Sequence, residues 1–293
     1  MASSNVGGIA AMLLACALFV IGDSIFKLLG RTLPLGEMLF VRGLMSLPVI
    51  FLMAAYAGAL AGLGAAVREP RVLIRALLEI PSTALFFAAL IQMRYSDAVA
   101  IHQVAPLTVT AGAALFLGQP VGWRRWLAAL AGFVGVLVVI RPGAGAFNWP
   151  ALVMLGAVGA ITAREMVARG IGPQIPTVLV ALVSIAAVGV AGLLFWPFEH
   201  WVPLGIGGSL LIAVAAASST GGYYWSVEAL RRGEVAAVMP FRYSLIPYGV
   251  ISGIVVFGEW PDLTTLTGIA IVLGAGLYTL HRERVRALLA GRR

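Results

Sequence analysis

The stretch IPTVLVALVSIAAVGVAGLLFWP, residues 175–197, is the clearest indication of the fold class because it holds no charged residue over 23 positions. A helix needs about 20 apolar residues to cross the hydrocarbon core of a membrane, and this stretch is long enough to do so. Strands of a membrane barrel would instead show segments of about ten residues in which apolar and polar residues alternate. The stretch therefore predicts a transmembrane α-helix.

Comparable apolar runs fill the rest of the chain. Of its 293 residues, 61% are hydrophobic and 11% are charged, whereas soluble domains carry about 25% charged residues. In lipid the backbone must satisfy its own hydrogen bonds, which leaves helices or closed barrels as spanning structures. Turn and charge signals divide the runs into ten predicted spans, at residues 9–29, 37–60, 72–93, 97–118, 123–141, 151–170, 175–197, 205–229, 234–258 and 262–281. The predicted fold class is an all-α integral membrane protein with ten transmembrane helices.

Basic residues at the ends of the spans predict the orientation. With ten spans both termini lie on one side, and that side carries twelve arginines: Arg68, Arg71, Arg124, Arg125, Arg169, Arg231, Arg232, Arg282, Arg284, Arg286, Arg292 and Arg293. The opposite side carries Lys27, Arg31, Arg94 and Arg141. Because cytoplasmic loops carry the excess of basic residues, we expect both termini in the cytoplasm and a bacterial-type inner (plasma) membrane location. The formal net charge of +8 is thereby explained without a nucleic acid partner.

Short motifs recur at an offset near 140 residues. GQP at 118–120 corresponds to GEWP at 258–261, and SDAVA at 96–100 corresponds to GEVAA at 233–237. The recurrence predicts two copies of a five-helix unit. Because five is an odd number, the two copies must have opposite topology in the bilayer. Inverted repeats are typical of transporters, with the substrate path at their interface.

The small motifs also follow a fixed order. The first half contains DAVA (97–100), APL (105–107), GQP (118–120), GFVGV (132–136) and RPG (141–143), and the second contains VAA (235–237), PF (240–241), GE (258–259) and GAGLY (274–278). In this order they resemble the EamA-type members of the drug/metabolite transporter superfamily. The resemblance implies an EamA-type basket of two inverted five-helix repeats. These are residues 1–145, and residues 146–293 with a basic cytoplasmic tail.

The same resemblance implies export or uptake of small metabolites by alternating access. It leaves the substrate open, because members of the superfamily carry amino acids, S-adenosylmethionine, riboflavin, opine-type metallophores and drugs. Two residues depart from the family pattern. Gln119 stands where many halves have an acid like Glu259, and Arg242 follows PF (240–241) where related sequences often have an acidic or neutral residue.

Charged residues inside the spans are the main functional signal, because each costs about 2.5–3.5 kcal/mol to insert near the centre of a bilayer. Eight lie at least about one helical turn inside a span: Asp23, Lys27, Arg42, Arg75, Glu79, Arg164, Glu165 and Arg242. Five are basic and three are acidic, which leaves an excess of +2. Asp23 with Lys27, and Arg75 with Glu79, are four residues apart, so each pair shares a helix face.

Eight polar or aromatic residues inside the spans are our candidates for the substrate pathway. They are Arg42, Glu79, Arg242, Asp23, His102, Gln103, Tyr243 and Trp225. The competing interpretation is that the charges only pair along their own helices, while Lys27, Arg75 and Arg164 extend to the lipid headgroups. Asp23 and Glu79 are the acids that we expect to titrate if a proton is coupled to transport.

The excess of positive charge predicts the substrate class. A guanidinium forms two parallel hydrogen bonds with a carboxylate, so Arg42 and Arg242 indicate a carboxylate-bearing metabolite, amino acid-like or an organic acid. Alternatively, Asp23 neutralises Arg42 and Glu79 neutralises Arg242. The uncharged cavity would then suit a flat or cationic solute, such as S-adenosylmethionine, riboflavin, an opine metallophore or a drug.

Proline and acidic residues predict local features of the helices. Pro106, Pro240 and Pro247 should interrupt the fourth and ninth spans at nearly matching places. Asp97, Glu234 and Asp262 lie at predicted helix starts, where a carboxylate accepts from free backbone amides and interacts favourably with the helix dipole.

A membrane-embedded enzyme and a channel are the rival classes. His102, His200 and His281 are far apart and form no His/Glu pair at ligand spacing, so we predict no catalytic site, metal site or cofactor. The chain also lacks a Gly-rich phosphate-binding loop. We therefore expect a secondary transporter that acts as a monomer or weak homo-oligomer and is driven by an ion gradient or the substrate gradient.

Overall fold

The computed structural model describes residues 2–118, 122–141 and 148–290, and every regular element in these ranges is helical. Gln119, Pro120, Pro142 and Gly143 of the sequence motifs lie outside the described residues. The helices are α1 (Ala2–Leu29), α2 (Leu35–Tyr56), α3 (Leu63–Ala66), α4 (Pro70–Gln92), α5 (Tyr95–His102), α6 (Ala105–Leu117), α7 (Trp123–Ile140), α8 (Trp149–Ala168), α9 (Thr177–Leu193), α10 (Ile206–Arg232), α11 (Val235–Val238), α12 (Leu245–Phe257) and α13 (Leu263–Ala290). Turns of 3₁₀ helix occur at Ala59–Gly62, Trp196–Phe198 and Met239–Ser244.

The predicted all-α membrane fold is confirmed. Among the described residues, nine helical segments are long and apolar enough to cross a membrane, and the shorter apolar helix Trp126–Ile140 occupies the place of the fifth predicted span. Large apolar side chains such as Phe116, Val255 and Leu52 are exposed on these helices. A lipid environment accounts for such faces, because lipid tails solvate apolar side chains that water would not.

Two spans are interrupted, as the prolines predict. The fourth span consists of α5 and α6, which Gln103 and Val104 join. The ninth span consists of α11, the 3₁₀ turn Met239–Ser244 and α12. Pro247 does not interrupt a helix, because it is the third residue of α12. At that position its missing N–H is not required for a bond within the helix.

The helices form two compact units, and each draws on both halves of the sequence. Unit 1 comprises Met1–Val20, Met93–Leu152 and Gly221–Arg293, and unit 2 comprises Ile21–Gln92 and Val153–Thr220. In unit 1, α7 packs against α13 and α5 against α12; in unit 2, α9 packs against α2 and α4. Three of these pairs join the predicted spans 5 and 10, 4 and 9, and 2 and 7. They therefore bring together equivalent spans of the two predicted repeats.

Glycines allow two of these helix pairs to approach closely. A Cβ atom on Gly43 of α2 would lie 2.6 Å from the Cα atom of Gly189 of α9. In unit 1, a Cβ atom on Gly268 of α13 would lie 2.7 Å from the carbonyl oxygen of Gly135 of α7. In lipid the hydrophobic effect gives little driving force for helix association. Small residues at a crossing let the two backbones approach closely, and van der Waals packing then stabilises the pair.

Candidate functional site

Five charged side chains gather inside unit 2. Asp23 of α1, Arg42 of α2, Arg75 and Glu79 of α4, and Arg164 of α8 form what we call the charged cluster. All five come from the eight charges that the sequence places inside spans. The structure therefore brings three of the pathway candidates, Asp23, Arg42 and Glu79, into one unit.

Glu79 is the centre of the ion pairs in this cluster. Its Oε1 atom accepts a hydrogen bond of 2.5 Å from Nη1 of Arg164, and its Oε2 atom lies 3.3 Å from Nη1 of Arg75. The side chain of Thr83, one turn along α4, lies 3.5 Å from Oε1. Two guanidinium groups therefore share this carboxylate, one on its own helix and one on α8.

The two arginines also have partners beyond Glu79. Nη1 of Arg75 donates to the hydroxyl of Ser184, at 2.6 Å, and this hydroxyl donates to the carbonyl of Val180 one turn earlier on α9. Nη2 of Arg164 donates to Glu165 at 2.9 Å. The interpretation that Arg75 and Arg164 extend to lipid headgroups is therefore wrong. Their charges are satisfied within unit 2, and their side chains are less than one-fifth exposed.

Lys27 also does not reach the headgroup region, because it is only 3% exposed. A lysine that extends along a helix to the interface keeps its ammonium group in contact with water. Burial of the whole residue contradicts that interpretation for Lys27. Lys27 therefore no longer counts among the basic residues at the span ends that predict the orientation.

Arg42 lies on a buried aromatic platform. Its Cζ atom is 5.2 Å from the ring centroid of Phe87 and 5.4 Å from that of Phe26. The two rings lie 4.1 Å apart, and both residues are almost fully buried. A cation over an aromatic ring gains about 0.5–1 kcal/mol at an exposed site and about 2 kcal/mol or more where water is excluded, and the half-buried Arg42 lies between these limits. No sequence pattern indicated this platform, although Phe26 follows Asp23 by three residues on the same face of α1.

Asp23 and Arg42 attract each other without touching. Each lies within electrostatic reach of the other, and Arg42 also interacts with Glu79 at longer range. Among the described residues, neither Asp23 nor the guanidinium of Arg42 makes a hydrogen bond or an ion pair within 4.0 Å. Both side chains are half-buried. The alternative in which Asp23 neutralises Arg42 would therefore act at a distance, and it leaves the polar atoms of both groups available.

Arg242, Gln103 and His102 belong to unit 1, where the two interrupted spans meet. The side-chain amide of Gln103 donates to the carbonyl of Arg242 at 3.4 Å, and the thiol of Cys16 approaches the same carbonyl at 3.7 Å. Gln103 is buried, whereas Arg242 and His102 are half-buried. Within unit 1, no described side chain forms a hydrogen bond or ion pair with the guanidinium of Arg242.

The two aromatic candidates lie in packed regions of unit 1. Tyr243 is buried against α13, where a Cβ atom on Gly276 would collide with its ring. Trp225 is half-buried against the apolar cluster around Met12 and Val238, and the Cζ atom of Arg232 lies 5.5 Å from its ring. Both side chains contribute to packing, and their contact with a substrate stays a prediction.

A second ionic network lies at one end of unit 1, and sequence reasoning missed it. Asp262 accepts from Arg141, lies 3.4 Å from Arg94 and accepts from the backbone N–H of Thr265 at 2.9 Å. Asp97 binds Arg94 at 2.9 Å and the hydroxyl of Thr265 at 3.1 Å. The capping prediction is therefore confirmed for Asp262 and wrong for Glu234, which precedes α11 without a side-chain cap. Asp97 lies in the first turn of α5 as expected, but its carboxylate joins two helices instead of accepting from free backbone amides.

The position of Asp262, just before α13, affects its acidity. The N–H of Thr265 and the guanidinium of Arg141 hold the pKa of Asp262 well below its usual range. In the sequence Arg94 and Arg141 served only to predict the orientation of the chain. Arg94 and Asp97 are three residues apart, whereas the contacts of both arginines with Asp262 depend on the fold. The network is charge-balanced, with two arginines and two aspartates.

Distant acids satisfy the starts of two helices. Glu259 accepts from the backbone N–H of Tyr95 at 2.6 Å, at the start of α5, and Glu199 accepts from the N–H of Gly36 at 2.9 Å in the first turn of α2. The residues that precede these helices, Arg94 and Pro34, make no side-chain cap. Glu259 of the GE motif therefore has a structural role in unit 1.

The chain is similar to known membrane transporters. Residues 6–141 match the EamA-like transporter family. A riboflavin transporter of Rhizobium johnstonii is 26% identical over 74% of this chain and 72% of its own length. An S-adenosylmethionine uptake transporter of Rickettsia conorii is 24% identical over 94% of this chain and 93% of its own. The pseudopaline exporter CntI of Pseudomonas aeruginosa is 24% identical over 92% of this chain and 94% of its own.

The fold also matches a solved structure. A protein known from its crystal structure superposes with a TM-score of 0.62 over 97% of this chain and 99% of its own, at 19% identity. The likeness supports a shared fold across nearly the whole chain.

Proposed function

We propose that this chain is an EamA-type drug/metabolite transporter and that it moves a small carboxylate-bearing metabolite across the inner membrane by alternating access; the match of residues 6–141 to the EamA-like transporter family and the likeness to named transporters support this. It is a multi-pass membrane protein and a small-molecule transporter rather than an enzyme. The proposed substrate is amino acid-like or an organic acid. We further propose two inverted repeats, at 1–145 and 146–293, and cytoplasmic termini.

Arg42 is the observation that carries the substrate class. Its guanidinium is held over Phe26 and Phe87 and makes no hydrogen bond or ion pair with the described residues. Five N–H donors in a fixed plane suit a carboxylate, which accepts two parallel hydrogen bonds. A bound carboxylate would also offset the cost of a cation inside the membrane.

Arg242 is the second proposed ligand of the substrate, on the basis of its surroundings in unit 1. It lies in the 3₁₀ turn of the ninth span, and within unit 1 its guanidinium has no ionic partner among the described residues. Glu79, its alternative partner from the sequence, is already engaged by Arg75 and Arg164. His102, Gln103, Tyr243 and Trp225 stay candidate pathway residues.

Transport into proteoliposomes tests the role of Arg42. We expect both Arg42→Lys and Arg42→Gln to raise the half-saturation concentration for the substrate roughly ten- to hundredfold, because lysine lacks the planar fork of donors. The substrate is first found by counterflow with a panel of labelled amino acids and organic acids. Arg68→Lys, at an exposed arginine outside the candidate pathway, is the matched control. Normal transport by Arg42→Lys, or a preferred solute that is purely cationic, contradicts the proposal.

A larger metabolite is the second candidate. Relatives that match more than nine-tenths of this chain are named for S-adenosylmethionine and pseudopaline, and a third is named for riboflavin. Adding these compounds to the counterflow panel separates the two candidates. Competition by riboflavin, which has no carboxylate, would favour the larger and flatter class.

We also propose that transport is coupled to protons or runs as exchange, with Asp23 and Glu79 as the titrating groups. Both are acids inside spans of unit 2, and both interact electrostatically with Arg42. Because the two oxygens of Glu79 are engaged by arginines and those of Asp23 are not, Asp23 is the better candidate.

A further inference from the structure

We propose that Asp23 and Arg42 together bind one zwitterionic group: Arg42 binds the carboxylate of the substrate, and Asp23 binds its ammonium group. The inference rests on the proposed function and narrows it. An organic acid without a positive charge then falls outside the substrate class, and an α-amino acid, free or as part of a larger metabolite, falls within it.

The separation of the two charges is the first argument. The guanidinium and the carboxylate interact electrostatically, yet no nitrogen–oxygen pair lies within the 4.0 Å of an ion pair. Two opposite charges that belong only to the framework would lower their free energy by closing to contact, as Arg164 and Glu79 do at 2.5 Å. A ligand with both charges, bound between them, would satisfy each group with its natural partner.

The polar atoms of both groups are available, which is the second argument. Asp23 and Arg42 are half-buried and make no hydrogen bond with the described residues. The other charges around them are satisfied, because Arg75 and Arg164 pair with Glu79 and Glu165, and Lys27 has an interaction of its own. The cluster therefore leaves one cation and one anion for a ligand, which matches the charges of a zwitterion.

The aromatic platform fixes the geometry of the pair, which is the third argument. Phe26 is 1% exposed and Phe87 is 3% exposed, and both rings lie beneath the guanidinium of Arg42. Phe26 also follows Asp23 by one helical turn, so α1 positions the carboxylate and half of the platform together. Such fixed positions reduce the entropy that is lost when a ligand binds.

Matched substrates test the inference in the wild-type protein. Proteoliposomes are assayed by counterflow with the proteinogenic L-amino acids and, for each one that is carried, with its des-amino acid and its methyl ester. We expect the amino acid to be carried, and both analogues to compete at least about tenfold more weakly, because each leaves one buried charge without a partner. A des-amino acid that competes as well as its amino acid overturns the inference.

Variants then assign the two ends of the substrate. Asp23→Asn should raise the half-saturation concentration of the amino acid roughly ten- to hundredfold and change that of the des-amino acid by less than about twofold. Asp23→Glu keeps the charge and should recover part of the loss, which separates recognition from folding. Glu228→Gln, at an exposed pair with Arg232, is the matched control and should transport as the wild type does.

The outcomes separate this inference from the proposed function. If Arg42→Lys weakens transport and Asp23→Asn does not, the inference is overturned and the carboxylate proposal stands. If an organic acid is carried and no amino acid is, the inference is again overturned and the carboxylate proposal again stands. If no carboxylate-bearing solute of either kind is carried, both are overturned.

Discussion

At Glu79, a single side chain stabilises the charged cluster of unit 2 across two helices. It lies within 3.3 Å of guanidinium nitrogens of both Arg75 and Arg164. Removal of one partner from a buried ion pair is costly because the remaining charge stays buried without compensation. At this position the cost involves two cations rather than one.

We expect Glu79→Gln to lower the free energy of unfolding by about 3–5 kcal/mol. The amide keeps the shape of the side chain but leaves Arg75 and Arg164 without their shared anion. Thermal unfolding of the detergent-solubilised protein measures the loss. Glu228→Gln is the control, since the guanidinium of its partner Arg232 is about half exposed and exposed pairs contribute about 1 kcal/mol or less.

The same variant tests the coupling proposal. If a proton travels on either acid, transport by Glu79→Gln or by Asp23→Asn should lose its pH dependence, measured as initial rate against pH on the two sides of the vesicle. An unchanged pH profile in both variants removes these two carboxyl groups as proton carriers.

The sequence predicted which residues carry buried charge, but not how they pair. Arg75 and Glu79 follow from their spacing of four, because a single helix fixes their distance. The contact of Arg164 with Glu79 depends on how α8 packs against α4. No sequence pattern near Ser184 on α9 predicts that its hydroxyl accepts a hydrogen bond from Arg75. For the same reason the platform beneath Arg42, built from α1 and α4, was not foreseen.

Among the helices, the crossing of α7 and α13 depends on glycine. A Cβ atom on Gly268 would lie 2.7 Å from the carbonyl oxygen of Gly135 and 3.2 Å from the backbone nitrogen of Val139. Backbone atoms do not move aside as a flexible side chain does. A methyl group at this position therefore has to push the two helices apart.

We expect Gly268→Ala to lower the melting temperature of the solubilised protein. Gly274 lies on the same helix, and a Cβ atom there would meet nothing within 4 Å. Gly274→Ala is therefore the matched control. Because alanine favours a helix over glycine by about 1 kcal/mol, it should leave the melting temperature unchanged or raise it. A Gly268→Ala protein as stable as Gly274→Ala contradicts this account of the crossing.

The elements themselves were largely predictable, because length and hydropathy decide a membrane span. The break at Gln103 and Val104 and the 3₁₀ turn Met239–Ser244 follow from Pro106 and Pro240, which supply no N–H. Pro247 was misjudged, because its effect depends on where α12 begins. The start of α5 depends on Glu259, which is distant in sequence, so no local pattern reveals it.

For the whole molecule, the packing of equivalent spans supports the proposed repeats. In each unit, helices from the two halves of the sequence pack together, and glycines line the contacts of spans 2 with 7 and 5 with 10. Equivalent helices are expected to meet in this way when a pseudo-two-fold axis relates two inverted copies. The sequence does not predict this pairing, because the order of the motifs indicates two repeats but not which of their helices pack together.

The orientation of the chain follows from the distribution of its basic residues, and burial of Lys27 increases the difference between the two sides. With Lys27 3% exposed inside α1, the side opposite the termini keeps only Arg31, Arg94 and Arg141, against twelve arginines on the side of the termini. Because the basic excess faces the cytoplasm, a fluorescent protein fused after Arg293 should be bright, and alkaline phosphatase at the same site inactive. A matched fusion after Trp201, in the segment between α9 and α10, should give the opposite pair of results. Active phosphatase after Arg293 would reverse the proposed topology.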